Sequence, residues 1–317
     1  MNALLTTRRL EHLTRISDLD PRTLAEVLEL AETMKDEPER YGDALRGRAI
    51  ACIFEKPSTR TRVSFAAAAA RLGATPIALS PQELQLGRGE SIADTARSLS
   101  GYVDAIVIRT FAQETVQELA RWATVPVVNA LSNEHHPCQA LADLLTIKES
   151  FGDLADKRVA FVGDGGDNVA HSLLEAAALA DVNVTIACPD AYAPDAEVLH
   201  GARARAEDRG VELQVVHDPA TAVQGAHAVY ADVWASMGEE AERELRRAAL
   251  APYQVTEELM ALAQPGAIFL HCLPAKRGEE VAAAVIDGPQ SAVWQQSANR
   301  LPTEEALLLL LTRGRHA

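Results

Sequence analysis

Short runs of aliphatic and β-branched residues alternate along almost the whole chain with longer stretches whose apolar positions recur at helical spacing. That alternation is the pattern of repeated strand–helix–strand units around a mainly parallel sheet, and it predicts an α/β fold. In the first half, strands are expected at residues 48–54, 75–79, 104–109 and 125–129, each ahead of a helical segment. Helix starts are marked by Asp20-Pro21, a cap with proline in the first turn, and by Ser91 with Asp94 three residues on; the helix through 66–70 stops at Gly73. A second series begins after Gly152, with strands at 158–162, 182–187, 213–216, 227–231 and 267–271. Two domains are therefore expected, 1–150 and 151–317, each a mainly parallel β-sheet flanked by helices, with the active site in the cleft between them. The apolar run 306–311, flanked by Glu304, Glu305 and Arg313, suits a terminal helix (about 300–317) packing back on the first domain.

Composition adds limits. The chain has 317 residues, 48% hydrophobic and 24% charged, a length at which one core usually gives way to two. The net charge of -15 repels nucleic acid and anionic membrane surfaces. An anionic small substrate would need a local cluster of arginines and backbone donors to override that field. Cys52, Cys138, Cys188 and Cys272 form no CxxC pair, so neither a disulfide framework nor a zinc knuckle is indicated, and Cys52 and Cys188 read as buried thiols. No segment has the apolar length of a signal peptide or a membrane span, and a soluble, cytoplasmic protein is expected.

The chemistry-bearing residues sit at strand-to-helix turns. Ser58-Thr59-Arg60-Thr61 lies between the strand at 48–54 and the helix that follows. A helix N-terminus exposes unpaired N–H groups and the positive end of a dipole; hydroxyls and arginines on the same turn make a phosphate cradle, the plainer alternative being a capped helix with solvated arginines. Asn133-Glu134-His135-His136-Pro137-Cys138-Gln139 repeats this geometry. There His136 could donate to a carbonyl or phosphate oxygen, Gln139 offers a donor and an acceptor, and Arg109 at its strand's end would point into the same space. Gly163-Asp164-Gly165-Gly166-Asp167-Asn168 superficially suggests a dinucleotide loop, but the third glycine position of G-x-G-x-x-G is Asn168. Two later strand ends carry Asp232-Val233-Trp234-Ala235-Ser236-Met237-Gly238 and His271-Cys272-Leu273-Pro274. An acid, a hydroxyl and an amide can hold an amino acid's ammonium and carboxylate, and carbonyls before a proline can accept from an amide NH₂; either stretch could also be a polar loop. No Ser-His-Asp order, Walker loop or HExxH spacing is present.

In order, Ser58-Thr59-Arg60-Thr61, His136-Pro137-Cys138-Gln139, Asp232 through Gly238 and His271-Cys272-Leu273-Pro274, with Gln85, Arg109 and Asn299-Arg300, resemble the aspartate/ornithine carbamoyltransferase family, in its ornithine branch, over nearly the whole chain. The resemblance implies a first domain binding carbamoyl phosphate and a second binding ornithine, in homotrimers or multiples of trimers with active sites at subunit interfaces. It implies Ser58, Thr59, Arg60 and Thr61 on the phosphate, Gln85 reaching it from a neighbouring subunit, and Arg109, His136, Pro137, Cys138, Gln139 and Arg300 around phosphate or carbamoyl group. Cys272 and Leu273 would bind the carbamoyl amide through their backbone. Asn168, Asp232, Ser236 and Met237 would bind ornithine, with Asp232 and Cys272 orienting the δ-amine. The catalytic set so implied is Arg60, Arg109, His136, Asp232 and Cys272, with no metal and no cofactor. Aspartate, putrescine, lysine or an N-acylated ornithine as acceptor, and a silent binding protein on the same fold, stay open, although Ser236-Met237-Gly238 favours free ornithine. Two stretches depart from the family's usual pattern: Asp167 where a second asparagine commonly precedes Asn168, and Leu301-Pro302-Thr303-Glu304 in place of Leu-His-Thr-x-Lys.

Overall fold

Asp20, Ser58 and Ser91 each accept a hydrogen bond from the backbone N–H three residues on, and so open α1 (Pro21–Asp36), α2 (Thr59–Arg71) and α3 (Ile92–Ser100). The computed structural model describes residues 10–81, 83–84, 89–235 and 242–313. The first sheet contains β1 (Ala49–Phe54), β2 (Thr75–Leu79), β3 (Ala105–Arg109) and β4 (Val127–Leu131). All its pairings are parallel, in the order β2-β1-β3-β4. β3 and β4 are buried throughout, because helices cover both faces and leave no place for a polar side. The edge strand β2 is largely exposed. α4 (Gln113–Trp122) and α5 (Pro137–Phe151) complete this half.

The second sheet is also parallel, in the order β7-β6-β5-β8-β9, from β5 (Arg158–Val162), β6 (Asn183–Ala187), β7 (Leu213–Val216), β8 (Ala228–Tyr230) and β9 (Ile268–Leu270). Its helices are α6 (Asn168–Ala180), α7 (Ala196–Ala206), α8 (Pro219–Val223), α9 (Arg243–Leu250), α10 (Glu257–Met260) and α11 (Ala283–Ile286), followed by α12 (Val293–Thr312). No described helix is long and apolar enough to cross a membrane.

Two elements differ from the sequence expectation by more than one residue at an end. β4 begins two residues late: Pro126 has no N–H for the ladder, and Leu13 instead pairs beside Val128, giving its N–H to Val127 O and accepting from Asn129 N, both at 2.8 Å. α12 starts at Val293, well ahead of residue 300, so Arg300 lies mid-helix and Pro302 is inside it. The apolar pattern missed this first part because it is buried through polar groups. Gln296 and Asn299 are fully buried, and Asn299 Nδ2 donates to Thr146 Oγ1 (3.0 Å) and Glu149 Oε2 (2.8 Å) of α5. α12 packs against α5, α1 and α2. The glycine-rich loop after β5 has a packing reason: a Cβ on Gly165 would lie 2.9 Å from Tyr192 O and 3.0 Å from Cys188 Sγ.

Candidate active site

The C-terminal ends of both sheets face one cavity of about 580 Å³. Ser58 to Thr61, Arg109, His136 and Arg300 line it from one side, Asn168, Asp232, Cys272 and Leu273 from the other. Gln85, Ser236 and Met237 lie outside the described residues. Pro137, Cys138 and Gln139 stand behind the wall rather than on it. Gln139 reaches the site through Arg300, whereas the Cys138 thiol contacts Asn129 O at 3.4 Å.

At the cationic end, the first turn of α2 lines the cavity, with Ser58 as its cap accepting from Thr61 N (3.2 Å). The Arg60 guanidinium crosses the cleft and donates to Leu273 O. Burial, together with the neighbouring Arg300 and Arg60 charges, pulls the pKa of Arg109 down to about 10, and among the described residues its Nε has no partner. His136 is buried at the N-terminus of α5, where its backbone N–H donates to Ser172 Oγ (2.7 Å). Burial first, and then Arg300, Arg109 and Arg60, hold its imidazole pKa well below 6.5, so the ring is neutral. Lys56 adds a further cation beside these arginines on the cavity wall; it donates to Asn133 Oδ1 (2.5 Å) and lies 4.7 Å from the Phe111 ring centroid. This is the local positive cluster that an acidic protein needs in order to attract an anion.

Behind it lies a buried polar network. Asp143 Oδ1 accepts from Gln139 Nε2 (2.8 Å), Gln296 Nε2 (2.6 Å) and Tyr230 Oη (3.4 Å), tying α5 to α12 and β8. Burial raises the Asp143 pKa to about 7 against the pull of those hydrogen bonds.

On the opposite side Asp232 is the one carboxylate among the described lining residues, and Arg243 and Lys276, which also line that side, are paired with Glu279 at 2.7 and 3.8 Å. Asp232 Oδ1 accepts from Val233 N (2.7 Å) and from the Cys272 thiol (3.0 Å). Burial and then Asp232 push the Cys272 pKa far above the usual thiol value, which keeps Sγ protonated and donating. His271 is oriented by both nitrogens: Nδ1 accepts from Leu273 N (2.9 Å), which leaves Nε2–H for Glu280 Oε1 (3.1 Å). Leu273 has φ 60, a region unfavourable for a branched side chain, and its carbonyl is thereby aimed at Arg60. Asn168 opens α6 and donates from Nδ2 to Ser132 O (3.1 Å), bridging the halves. Asp167 caps the same helix through Val169 N (2.6 Å). Among the described residues, the ligand atoms of Asp232, His271 and Cys272 form the one trio close enough together to hold a metal ion, all within 4.8 Å.

Sequence reasoning did not single out Lys56, Asp143, Gln296 or Glu280 for a role. Lys56 lies two residues ahead of the Ser58–Thr61 motif, and the others are ordinary polar positions on helices or loops, marked by no spacing.

The family profile described as the carbamoyl-P binding domain of aspartate/ornithine carbamoyltransferase matches residues 11–149, and the profile of the Asp/Orn binding domain matches residues 155–311. The chain belongs to the aspartate/ornithine carbamoyltransferase family. Within that family it is 50% identical over 315 residues to the ornithine carbamoyltransferase of Symbiobacterium thermophilum, covering 97% of this chain and 99% of that one. It is 51% identical over 299 residues to the ornithine carbamoyltransferase of Methanothermobacter thermautotrophicus, covering 94% and 98%. The solved ornithine carbamoyltransferase of Pyrococcus furiosus superposes with a TM-score of 0.92 at 47% identity, covering 96% of this chain and 98% of that one. The two-sheet architecture is thus that of a carbamoyltransferase.

Proposed function

We propose that this chain transfers the carbamoyl group of carbamoyl phosphate to the δ-amine of L-ornithine, giving L-citrulline and phosphate, as in arginine biosynthesis. The observation that carries this reading is the charge arrangement of one cavity: Arg60, Arg109, Arg300, Lys56 and a helix N-terminus at one end, and at the other Asp232 with the Cys272 thiol, where the lining cations Arg243 and Lys276 are paired with Glu279. The first end suits a phosphate dianion and the second a cationic amino acid.

In this account Ser58, Thr59, Arg60, Thr61 and Arg300 hold the phosphate, and Arg109 and neutral His136 donate to the carbamoyl oxygen. The backbone at Cys272 and Leu273 takes the carbamoyl NH₂, and Gln139 acts on the site through Arg300. Asn168, Asp232, Ser236 and Met237 hold ornithine, and Asp232 with Cys272 orients the δ-amine. The neutral amine attacks the carbamoyl carbon; the C–N bond forms, the C–O bond to phosphate breaks, and the departing phosphate takes the amine's proton. Carbamoyl phosphate is already activated, so positioning and electrostatic stabilisation suffice without metal or cofactor.

The domains so used are 1–150 for carbamoyl phosphate and 151–317 for ornithine. A homotrimer in the cytoplasm completes the proposal, with Gln85 of one subunit reaching the next subunit's phosphate. Its support is the exposed apolar surface beside the phosphate helix, Val63 on α2 (61% exposed) and Ile77 on the edge strand β2 (39%). The test is phosphate release with ornithine, aspartate, putrescine, lysine and acetylornithine in parallel. Turnover with ornithine alone is expected; preference for another amine would move the specificity to that acceptor.

A further inference from the structure

Arg300 is buried in the middle of α12 and its guanidinium is gripped on three sides. Nε and Nη2 donate to Glu304 Oε1 at 3.1 and 2.8 Å, Nη1 donates to Gln139 Oε1 at 3.0 Å, and Nη2 lies 3.5 Å from Thr61 Oγ1. Glu304 sits one turn further along the same helix with its side chain fully buried. A buried ion pair forfeits the hydration of both charges and gains no apolar contact in return, so its presence beside a substrate cavity points to a task other than stability. Two further arginines, Arg60 and Arg109, share that end of the cavity and repel Arg300. An unbraced guanidinium on a flexible stem would turn away from them.

We infer that Glu304 is a positioning residue of the carbamoyl-phosphate site, holding one edge of the Arg300 guanidinium so that the other edge faces Gln139 and the cavity. The inference rests on the function proposed above and adds a residue that touches neither substrate. Gln139 takes part in the same fixation. Its NH₂ is committed to Asp143, so its carbonyl is left to accept from Arg300. Glu304 and Gln139 thereby fix the guanidinium fork that meets the phosphate from two sides.

The test compares wild type, Glu304→Gln and Glu304→Met in citrulline formation, with each substrate varied separately. Met removes the acceptor, and kcat/KM for carbamoyl phosphate is expected to fall by about 10- to 100-fold, the cost of a guanidinium displaced by an ångström or so. The KM for ornithine should stay near wild type. Gln keeps an oxygen at Oε1 and should recover most of the loss. Unchanged carbamoyl-phosphate parameters in a folded Glu304→Met, or equal losses on both substrates, would overturn the inference. If the Met protein does not fold, Glu304→Asp decides, since it keeps the charge but withdraws the oxygen by one methylene. A raised carbamoyl-phosphate KM supports positioning, and a wild-type value overturns it. A wild-type enzyme that forms no citrulline counts against the proposed function instead.

Discussion

A neutral imidazole among three guanidinium groups is what burial and electrostatics dictate for His136. It can donate to a carbonyl oxygen at neutral pH without being an acid that titrates away. Its replacement by Asn, which retains a donor, is expected to cost less in kcat than His136→Ala, a difference read from steady-state rates. Arg60 joins the phosphate helix to the Leu273 carbonyl, and Arg60→Gly should lower kcat by about 10²–10³-fold, the scale of losing one transition-state donor. A near-normal rate would remove Arg60 from the catalytic account.

Asp143 makes a separate prediction, on stability. Its pKa is raised to about 7 in the folded protein against about 3.9 when unfolded. Between those values the folded state holds a proton that the unfolded state has lost. Its contribution is therefore fully present below about pH 4 and is lost as the pH rises through about 7. Asp143→Asn cannot ionise, so its melting temperature relative to wild type should improve from pH 4.5 to 7.5 and then level off. Calorimetry giving a difference independent of pH would show that Asp143 does not titrate there. At this scale the sequence exposed donors at strand ends, since hydroxyls and arginines cluster at helix starts. It hid Asp143 and Gln296, whose roles come from partners far along the chain, Gln296 to Asp143 at 2.6 Å, and Glu280, whose side chain meets His271 in a loop with no marking pattern.

Among the elements, caps and strands were legible because each leaves a local mark: Asp20 before Pro21, Ser91 ahead of Asp94, and aliphatic runs in buried parallel strands. The start of α12 was not, because apart from Val293 its first two turns are buried by amide hydrogen bonds at Gln296 and Asn299. The later turns carry the apolar load, with Leu307 and Leu308 fully buried. Leu308→Ala should cost about 2–5 kcal/mol, the range for a large-to-small change in a packed core. Denaturant unfolding checks this, and a loss well under 1 kcal/mol would mean that α12 docks loosely.

Across the whole molecule, the -15 charge and the cationic end of the cavity act on different length scales. The net charge disfavours polyanions, and screening limits it to roughly 10 Å at ordinary salt, inside which the local arginines govern the substrate. The fold places those arginines by bringing together turns that lie far apart in sequence, Arg60 and Arg109 after the first sheet's strands and Arg300 from α12. The α/β class and the two-sheet layout followed from periodicity alone. Which turns meet did not, because no local pattern records how α12 lies against α5 and α2.

The most direct measurement supplies carbamoyl phosphate labelled at its carbonyl carbon together with ornithine, and follows the label by mass spectrometry. The account predicts labelled citrulline and an equal amount of phosphate from the wild type, and little of either from Arg60→Gly. Phosphate released without labelled citrulline, or the label appearing on a different amine, would contradict it.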